Sequence, residues 1–375
     1  MEYRPVLLKG LRTRPLRVLS NLIYSYYSGA KAPMPFKLKF ENTNLCNINC
    51  TMCPHSKEIG LYRKKGYLTF DNFKYVFDQV KPIYLNLTGI GEPFLNPHIY
   101  DIVKYSTDHK AVVKFDTNAT LLNDEKIKKI LDTNIDVISV SFDGATKETY
   151  EPIRVGAKFD VVIKNFKRLV ELRNELKAKT QIHMFFVLQK GNLYDLPRFV
   201  KLAMDVGVDY LAGNFVIPLG FNINEKRNLI DIDPDELKKI LQETRELCAH
   251  TDMTLGIDGL LRFLEKPTSE KSIHNQDAPC YLPWYAPLVT WDGFMGPCDF
   301  YCDKDYVFGN VFEEPFMKVW NSEAAQEFRK QLTKKRIGTC KTCGVDETYI
   351  QKEFHLFYKL PLINQLTHRQ PVILR

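Results

Sequence analysis

The stretch that decides the fold is Glu41-Asn42-Thr43-Asn44-Leu45-Cys46-Asn47-Ile48-Asn49-Cys50-Thr51-Met52-Cys53-Pro54. Its cysteines are separated by three and then two residues, and they directly follow the apolar, strand-like run Phe36–Glu41. Three thiolates on one short loop can wrap one face of a metal centre. A [4Fe–4S] cluster is usually held by cysteine thiolates, and three of them leave one iron open to an outside ligand. A zinc site closes with four ligands, and no fourth stands nearby in sequence. A fragment of a zinc site, or three unrelated core cysteines, are the bland alternatives.

Outward from this loop the chain alternates with regularity. Strand-like runs fall at Phe36–Glu41, Tyr84–Thr88, Val112–Asp116, Val137–Phe142, Ile182–Leu188 and Tyr210–Ile217. Helix-like segments lie between them near Phe70–Val80, Pro97–Thr107, Asp124–Asp132, Phe159–Leu176 and Leu193–Val206, with Asp71, Asn96, Asn123 and Asp195 where N-terminal caps are expected. This pattern predicts a parallel α/β structure, open sheet or barrel, a choice that periodicity does not make. In such barrels the active site lies at the C-terminal ends of the strands, which is where the cysteine loop falls.

The chain has 375 residues, so one large domain with a smaller one is expected. An apolar fraction of 45% and an aromatic fraction of 12% describe a folded globular protein. The net charge of +7 is mild and interspersed, which argues against nucleic-acid binding. There is no apolar run of membrane-spanning length and no secretory signal, and nine cysteines in metal-type groupings point to a reducing, cytoplasmic setting. Residues 1–35 carry Arg4, Lys9, Arg12, Arg14, Arg17 and Lys31, and Pro15–Tyr27 reads as a basic amphipathic helix. Packing onto the protein is the expectation for that helix; peripheral contact with an anionic membrane stays open. Residues 221–279 read as a helical linker region, with a helix from Asp233 to about Ala249, and residues 351–375 as a tail without a functional reading.

Two further motifs sit where strands end. Thr88-Gly89-Ile90-Gly91-Glu92-Pro93 follows the second strand, with glycines that let the backbone approach a ligand beside a carboxylate. Asp116-Thr117-Asn118-Ala119 ends the third. Ser139, Ser141 and Asp143 end the fourth, with hydroxyls suited to a ribose, and Arg154 follows with a guanidinium able to clamp a carboxylate. The bland readings are a turn cap for Asp143 and a surface charge for Arg154. Further on stand Cys280, Cys298, Cys302, Cys340 and Cys343, with twelve residues between the first and Gly293 and four between Gly293 and the second. A closed zinc site uses similar spacings.

Taken together, CxxxCxxC, Gly91-Glu92-Pro93, Asn118, Ser141 and the C-terminal cysteines resemble the radical S-adenosylmethionine (radical SAM) superfamily with a SPASM/Twitch-like extension. Ile90 and Ala119 stand where that family often has glycine. The resemblance implies a partial (β/α)6 TIM-like barrel over residues 36–220, followed by a small cysteine-rich α+β domain over residues 280–350. It implies that Cys46, Cys50 and Cys53 hold a [4Fe–4S] cluster that binds SAM, and that Gly91, Glu92, Pro93, Asn118, Ser141, Asp143 and Arg154 surround the SAM. Cys280, Cys298, Cys340 and Cys343 would then ligate one auxiliary [4Fe–4S] cluster, since no cysteine follows Cys343 to build a second. Cys302 is left as an alternative ligand, a buried thiol or a hydrogen-atom donor, and Cys248 as an ordinary half-buried cysteine.

The activity so implied is reductive cleavage of SAM to a 5′-deoxyadenosyl radical that abstracts hydrogen from a substrate, with an electron donor such as flavodoxin or ferredoxin. A small hydroxylated metabolite, oxidised or epimerised, is the first expectation. A peptide or protein maturase is the second, and a non-catalytic iron–sulfur or zinc scaffold the third. Asp277, Asp292 and Asp299 are candidate general bases, each equally readable as a turn residue.

Overall fold

The computed structural model describes residues 16–21, 29–53, 55, 64–215, 233–251, 253–257, 261, 264, 280–298, 306–333, 337–338 and 340. Its strands are β1 (Lys37–Phe40), β2 (Asn49–Cys50), β3 (Tyr84–Asn86), β4 (Val112–Thr117), β5 (Val137–Ser141), β6 (Arg154–Val155), β7 (Gln181–Leu188), β8 (Tyr210–Phe215), β9 (Thr254–Gly256), β10 (Leu288–Val289), β11 (Phe294–Gly296) and β12 (Gly309–Asn310). Its α-helices are α1 (Phe70–Val80), α2 (Ile99–Asp108), α3 (Asp124–Asp132), α4 (Lys147–Ile153), α5 (Phe159–Glu175), α6 (Leu196–Val206), α7 (Pro234–Ala249), α8 (Phe316–Trp320) and α9 (Glu323–Leu332).

Ten strands form one sheet in the order β12-β11-β10-β1-β3-β4-β5-β7-β8-β9. All neighbours from β10 to β9 are parallel, and only the β10–β11 and β11–β12 pairings are antiparallel. The expected six strands are all present. A seventh, β9, pairs with β8 inside the region read as a helical linker. Its three residues, Thr254-Leu255-Gly256, are too few to show a period in sequence. The cysteine-rich segment also adds to the barrel sheet instead of standing apart: β10 lies beside β1 with Lys39 opposite Leu288.

Alternation along the strands sorts side chains to two faces. Phe40 packs on Phe73 of α1, Phe142 on Phe166 of α5, and Phe186 stacks on Phe199 of α6 at 4.7 Å. Their strand neighbours therefore face inward. The paired registers set Lys39, Asn86, Lys114, Val137 and Gln181 on one inward rung, and Asp116, Ser139, His183, Tyr210 and Thr254 on the next. Closed barrels fill this space with Val, Ile and Leu; here it is polar.

Helix starts follow local chemistry, with corrections at Asp71, Asn96 and Asp195. Asn123 caps α3, accepting from Lys126 N. Thr69 rather than Asp71 caps α1. Asn96 is buried and does two things: its amide nitrogen donates to the carbonyls of Asn42 and Leu68, bracing the cysteine loop's lead-in, and its Oδ1 accepts from His98 N at 2.8 Å, just before α2. Asp195 precedes α6 but makes no cap bond to that helix's backbone: its carboxylate accepts from Ala145 N, the Thr149 hydroxyl and the Arg198 side chain of α6.

Residues 16–21 are helical, with Val18 buried and Arg17 donating to the carbonyls of Pro35, Val80 and Lys81 at the end of α1. That part of the amphipathic segment is packed on the protein; residues 1–15 and 22–28 lie outside the described residues. Arg329 on α9 ties the C-terminal segment down. It is fully buried, donates to the carbonyls of Ala30, Pro283 and Trp320, and lies 4.2 Å from the Trp320 ring centre.

Candidate active site

The polar lead-in to the cysteines is a set of struts. Glu41, Asn42, Thr43 and Asn44 are all buried, which polar groups tolerate only when bonded. Asn42 donates to Pro93 O, Thr43 Oγ1 donates to Gly66 O at 2.7 Å and accepts from Leu45 N, and Asn44 exchanges two bonds with the 64–66 backbone. Glu41 accepts from Trp291 N, so the β10–β11 turn touches the same loop. Cys50 lies on β2, paired antiparallel with β6 so that Cys50 stands opposite Arg154.

All three thiols are unbridged, and Cys50 is buried. Burial pushes the thiols up, Cys50 to about 11 and Cys53 to about 12, and Cys46 rises for the same reason. Each is opposed by the nearby Arg154 charge, and Cys53 is raised further by the proximity of Cys50 and Cys46. His55 N–H donates to Cys53 Sγ at 3.4 Å. Among the described residues, no three His, Cys, Asp or Glu side chains are arranged to hold a single ion.

The Gly-Glu-Pro turn presses against this loop. Glu92 N–H donates to Leu45 O at 2.7 Å. A Cβ on Gly91 would stand 2.5 Å from the carbonyl oxygens of both Thr43 and Leu45, so only glycine fits that approach. The Glu92 carboxylate is buried and accepts from Thr117 Oγ1 and Asn118 N at 2.7 Å each and from Phe94 N at 3.3 Å. Burial still pushes it up to about 7 against those donors. Glu92 thus ties the end of β3 to the end of β4.

At that second end Ala119 has φ 57°, the left-handed conformation that explains a glycine preference there. Asn118 donates from Nδ2 to Asn47 Oδ1 at 3.1 Å and to Cys46 Sγ at 3.8 Å. Its Oδ1 accepts from Thr120 N and Oγ1 at 3.0 and 2.7 Å, and Thr120 Oγ1 accepts from Asn47 Nδ2 at 2.7 Å. Asn47 and Thr120 were not candidates in sequence; the asparagine-rich loop was the available signal.

Asp143 and Arg154 form a buried ion pair rather than a turn cap and a surface charge. Asp143 Oδ2 accepts from Arg154 Nε at 2.7 Å and lies 2.6 Å from Nη2, while Oδ1 accepts from Val187 N at 2.7 Å. Among the described residues no hydrogen bond is made by Arg154 Nη1, which leaves one edge of the guanidinium available to a carboxylate. Ser141 ends β5 on the inward face, opposite Phe185 and next along that face from Ser139. Among the described residues the Ser139 hydroxyl and the Gln189 amide nitrogen are buried without a partner, a sign of a site made for a polar ligand.

Of the C-terminal cysteines, Cys280, Cys298 and Cys340 are half-buried, as is Cys248. Cys280 precedes the one-turn helix Leu282–Trp284 and Cys298 follows β11. Cys302, Cys343, Asp277 and Asp299 lie outside the described residues. Asp292 sits in the β10–β11 turn, where its carboxylate accepts the Thr290 hydroxyl, the bonding of a turn residue.

Residues 41–192 match the family model of the radical SAM superfamily, and residues 280–344 match the SPASM iron–sulfur cluster-binding domain. The chain belongs to the radical SAM superfamily and carries a SPASM domain. It is 27% identical over 327 residues to the AdoMet-dependent heme synthase of Methanosarcina barkeri, covering 82% of this chain and 88% of that protein. It is 25% identical over 328 residues to mycofactocin maturase MftC of Mycobacterium tuberculosis, covering 86% and 79%. The fold is similar to that of Streptococcus suis SuiB bound to precursor peptide SuiA, with a TM-score of 0.63 at 14% identity, over 91% of this chain and 79% of that one.

Family membership makes [4Fe–4S] clusters and SAM the cofactors of this chain. The residues fit them: three free thiols on one loop, a glycine turn packed so closely on that loop that a Cβ would clash, an open guanidinium edge, and orphaned polar atoms at the strand ends. Among the described residues no helix is long and apolar enough to cross a membrane.

Proposed function

We propose that this radical SAM enzyme abstracts hydrogen from a small hydroxylated substrate, oxidising or epimerising it, with one auxiliary cluster in its SPASM domain. The observation that carries this reading is the polar inward face of the barrel. Asn86, Lys114, Asp116, Ser139 and His183 stand on it where an inert barrel would place aliphatic side chains, and the Ser139 hydroxyl is buried without a partner among the described residues. Such a lining suits a substrate dense in hydroxyls or other hydrogen-bonding groups.

Bound to a reduced cluster, SAM supplies a 5′-deoxyadenosyl radical for hydrogen-atom abstraction. The chain's own groups prepare that chemistry. Cys46, Cys50 and Cys53 would hold the cluster, and the Gly91 cradle and the loop backbone would take the amino group of SAM. The free edge of Arg154 would take the SAM carboxylate, with Asp143 holding that guanidinium in place, and Ser141 would meet the ribose. Glu92, its carboxylate spent on Thr117 and Asn118, orients the turn. Cys280, Cys298, Cys340 and Cys343 would hold the auxiliary cluster, with Cys302 as a spare thiol. Flavodoxin or ferredoxin would donate the electron.

A peptide maturase is the second reading, favoured by the resemblance to MftC and by a fold shared with a peptide-bound protein. The resemblance to the heme synthase supports the non-peptide reading. An anaerobic iron and sulfide count with electron paramagnetic resonance tests the assignment. Roughly eight irons are expected at four per cluster, falling to roughly four in the Cys46/Cys50/Cys53→Ala triple variant, together with loss of 5′-deoxyadenosine formation. Four irons plus zinc would remove the auxiliary cluster. A substrate panel of polyols and peptides then separates the two readings by which class stimulates SAM cleavage.

A further inference from the structure

The Asn118 amide is locked in one orientation. A backbone N–H only donates, so the atom facing Thr120 N at 3.0 Å must be oxygen. The nitrogen is therefore fixed on the other side, toward Asn47 Oδ1 at 3.1 Å and Cys46 Sγ at 3.8 Å. The Thr120 hydroxyl closes a ring by accepting from Asn47 and donating to Asn118, and Asn118's own N–H is held by Glu92. Asn118 is 5% exposed, so water does not compete freely for these bonds.

We propose that Asn118 is a positioning residue whose Nδ2–H, donating to the Cys46 sulfur, raises the reduction potential of the cluster on the Cys46–Cys50–Cys53 loop. This inference rests on the radical SAM reading above. Reduction adds negative charge to the cluster and its sulfurs. A fixed donor therefore stabilises the reduced form more than the oxidised one, and hydrogen bonds to sulfur are among the groups that set such potentials. One net hydrogen bond corresponds to about fivefold in the reduction equilibrium, which is about 40 mV at 59 mV per tenfold. The same ring joins the Gly-Glu-Pro turn, through Glu92, to the Cys46 ligand, so the part that receives SAM and the part that receives the electron share one rigid network.

The test is a potentiometric titration of the reconstituted holoenzyme followed by electron paramagnetic resonance. Three variants are compared with wild type: Asn118→Leu, which removes the amide; Asn118→Asp, which keeps the shape and the acceptor for Thr120 but removes the donor; and Thr120→Ser, which keeps the ring. Both Asn118 variants should shift the Cys46–Cys50–Cys53 cluster to a more negative potential, by about fivefold or more in equilibrium, with iron and sulfide unchanged. Thr120→Ser should leave it in place, and the SPASM-domain cluster should not move in any variant. An unshifted potential in fully loaded Asn118 variants overturns the proposal, as does an equal shift in Thr120→Ser. Failure of both Asn118 variants to load the cluster also overturns it, because Asn118 would then be structural. A wild-type protein that cleaves SAM while the variants stay unshifted sinks the Asn118 role alone. A wild-type protein that holds no cluster on this loop sinks the underlying reading with it.

Discussion

Removing Asp143 strands a buried charge. Asp143 is wholly buried and Arg154 is 7% exposed, and the carboxylate satisfies Arg154 Nε and Nη2 through one oxygen and Val187 N–H through the other. Breaking one side of such a pair costs about 3–5 kcal/mol, because the remaining ion keeps its desolvation penalty without its partner. The orphaned Val187 N–H adds about 1 kcal/mol. Asp143→Ala should therefore lose about 4–6 kcal/mol, a large share of the roughly 5–15 kcal/mol that holds a typical domain folded. The assay is urea unfolding of the cluster-free full-length chain followed by circular dichroism, with Arg154→Met and the Asp143→Leu/Arg154→Met pair alongside. The double variant should be less destabilised than the sum of the single changes, because it removes both charges at once. A loss below about 1 kcal/mol, against the range expected for a broken buried pair, or a strictly additive double variant would refute the view that this pair fastens β6, and with it Cys50, to the strand ends.

Three other outcomes are expected. Glu92 has its pKa raised to about 7 by burial, above its ordinary 4.5, so the folded protein holds a proton that the unfolded chain has released between those values. Its contribution to stability is full below about 4.5 and is lost as the pH rises through about 7; Glu92→Gln should flatten this part of the stability–pH curve, and an unchanged slope would contradict the burial argument. In the cluster-free protein Cys50 and Cys53 titrate at about 11 and 12, so iodoacetamide at pH 8 should modify them far more slowly than a free cysteine, and cluster loading should release protons measurable in weakly buffered solution. In Gly91→Ala the new methyl meets two backbone carbonyls that cannot turn aside, an overpacking cost of about 1–3 kcal/mol placed on the cysteine loop. Its iron content should fall while far-ultraviolet circular dichroism is retained, and full iron content with normal SAM binding would count against the cradle.

Much of the site was legible because its signals are local. Cysteine spacing, the Gly-Glu-Pro turn and the alternation of apolar periods are all written within a few residues, and each places a motif at a strand end. The first turn of α1 shows the limit of such signals: Asp71 looks like a cap, but Thr69 supplies the bond. Asn96 also reads as a cap by composition and accepts from His98 N, but its neighbours in space make it a brace for the Cys46 loop as well.

The sequence alone determined that a three-thiol loop follows the first of a series of parallel strands, because spacing and period are properties of adjacent residues. Only the tertiary structure decided the rest. β9 becomes a strand because β8 offers it an edge, and β10 joins the core because β1 has an open side. Asp143 finds Arg154 eleven residues on, across a helix, and Glu41 finds the Trp291 backbone 250 residues away. The Asn118 amide is oriented by Thr120, Asn47 and Glu92 together. These are bonds between groups that only the folded chain brings within about 3 Å, where desolvation makes each partner's identity matter.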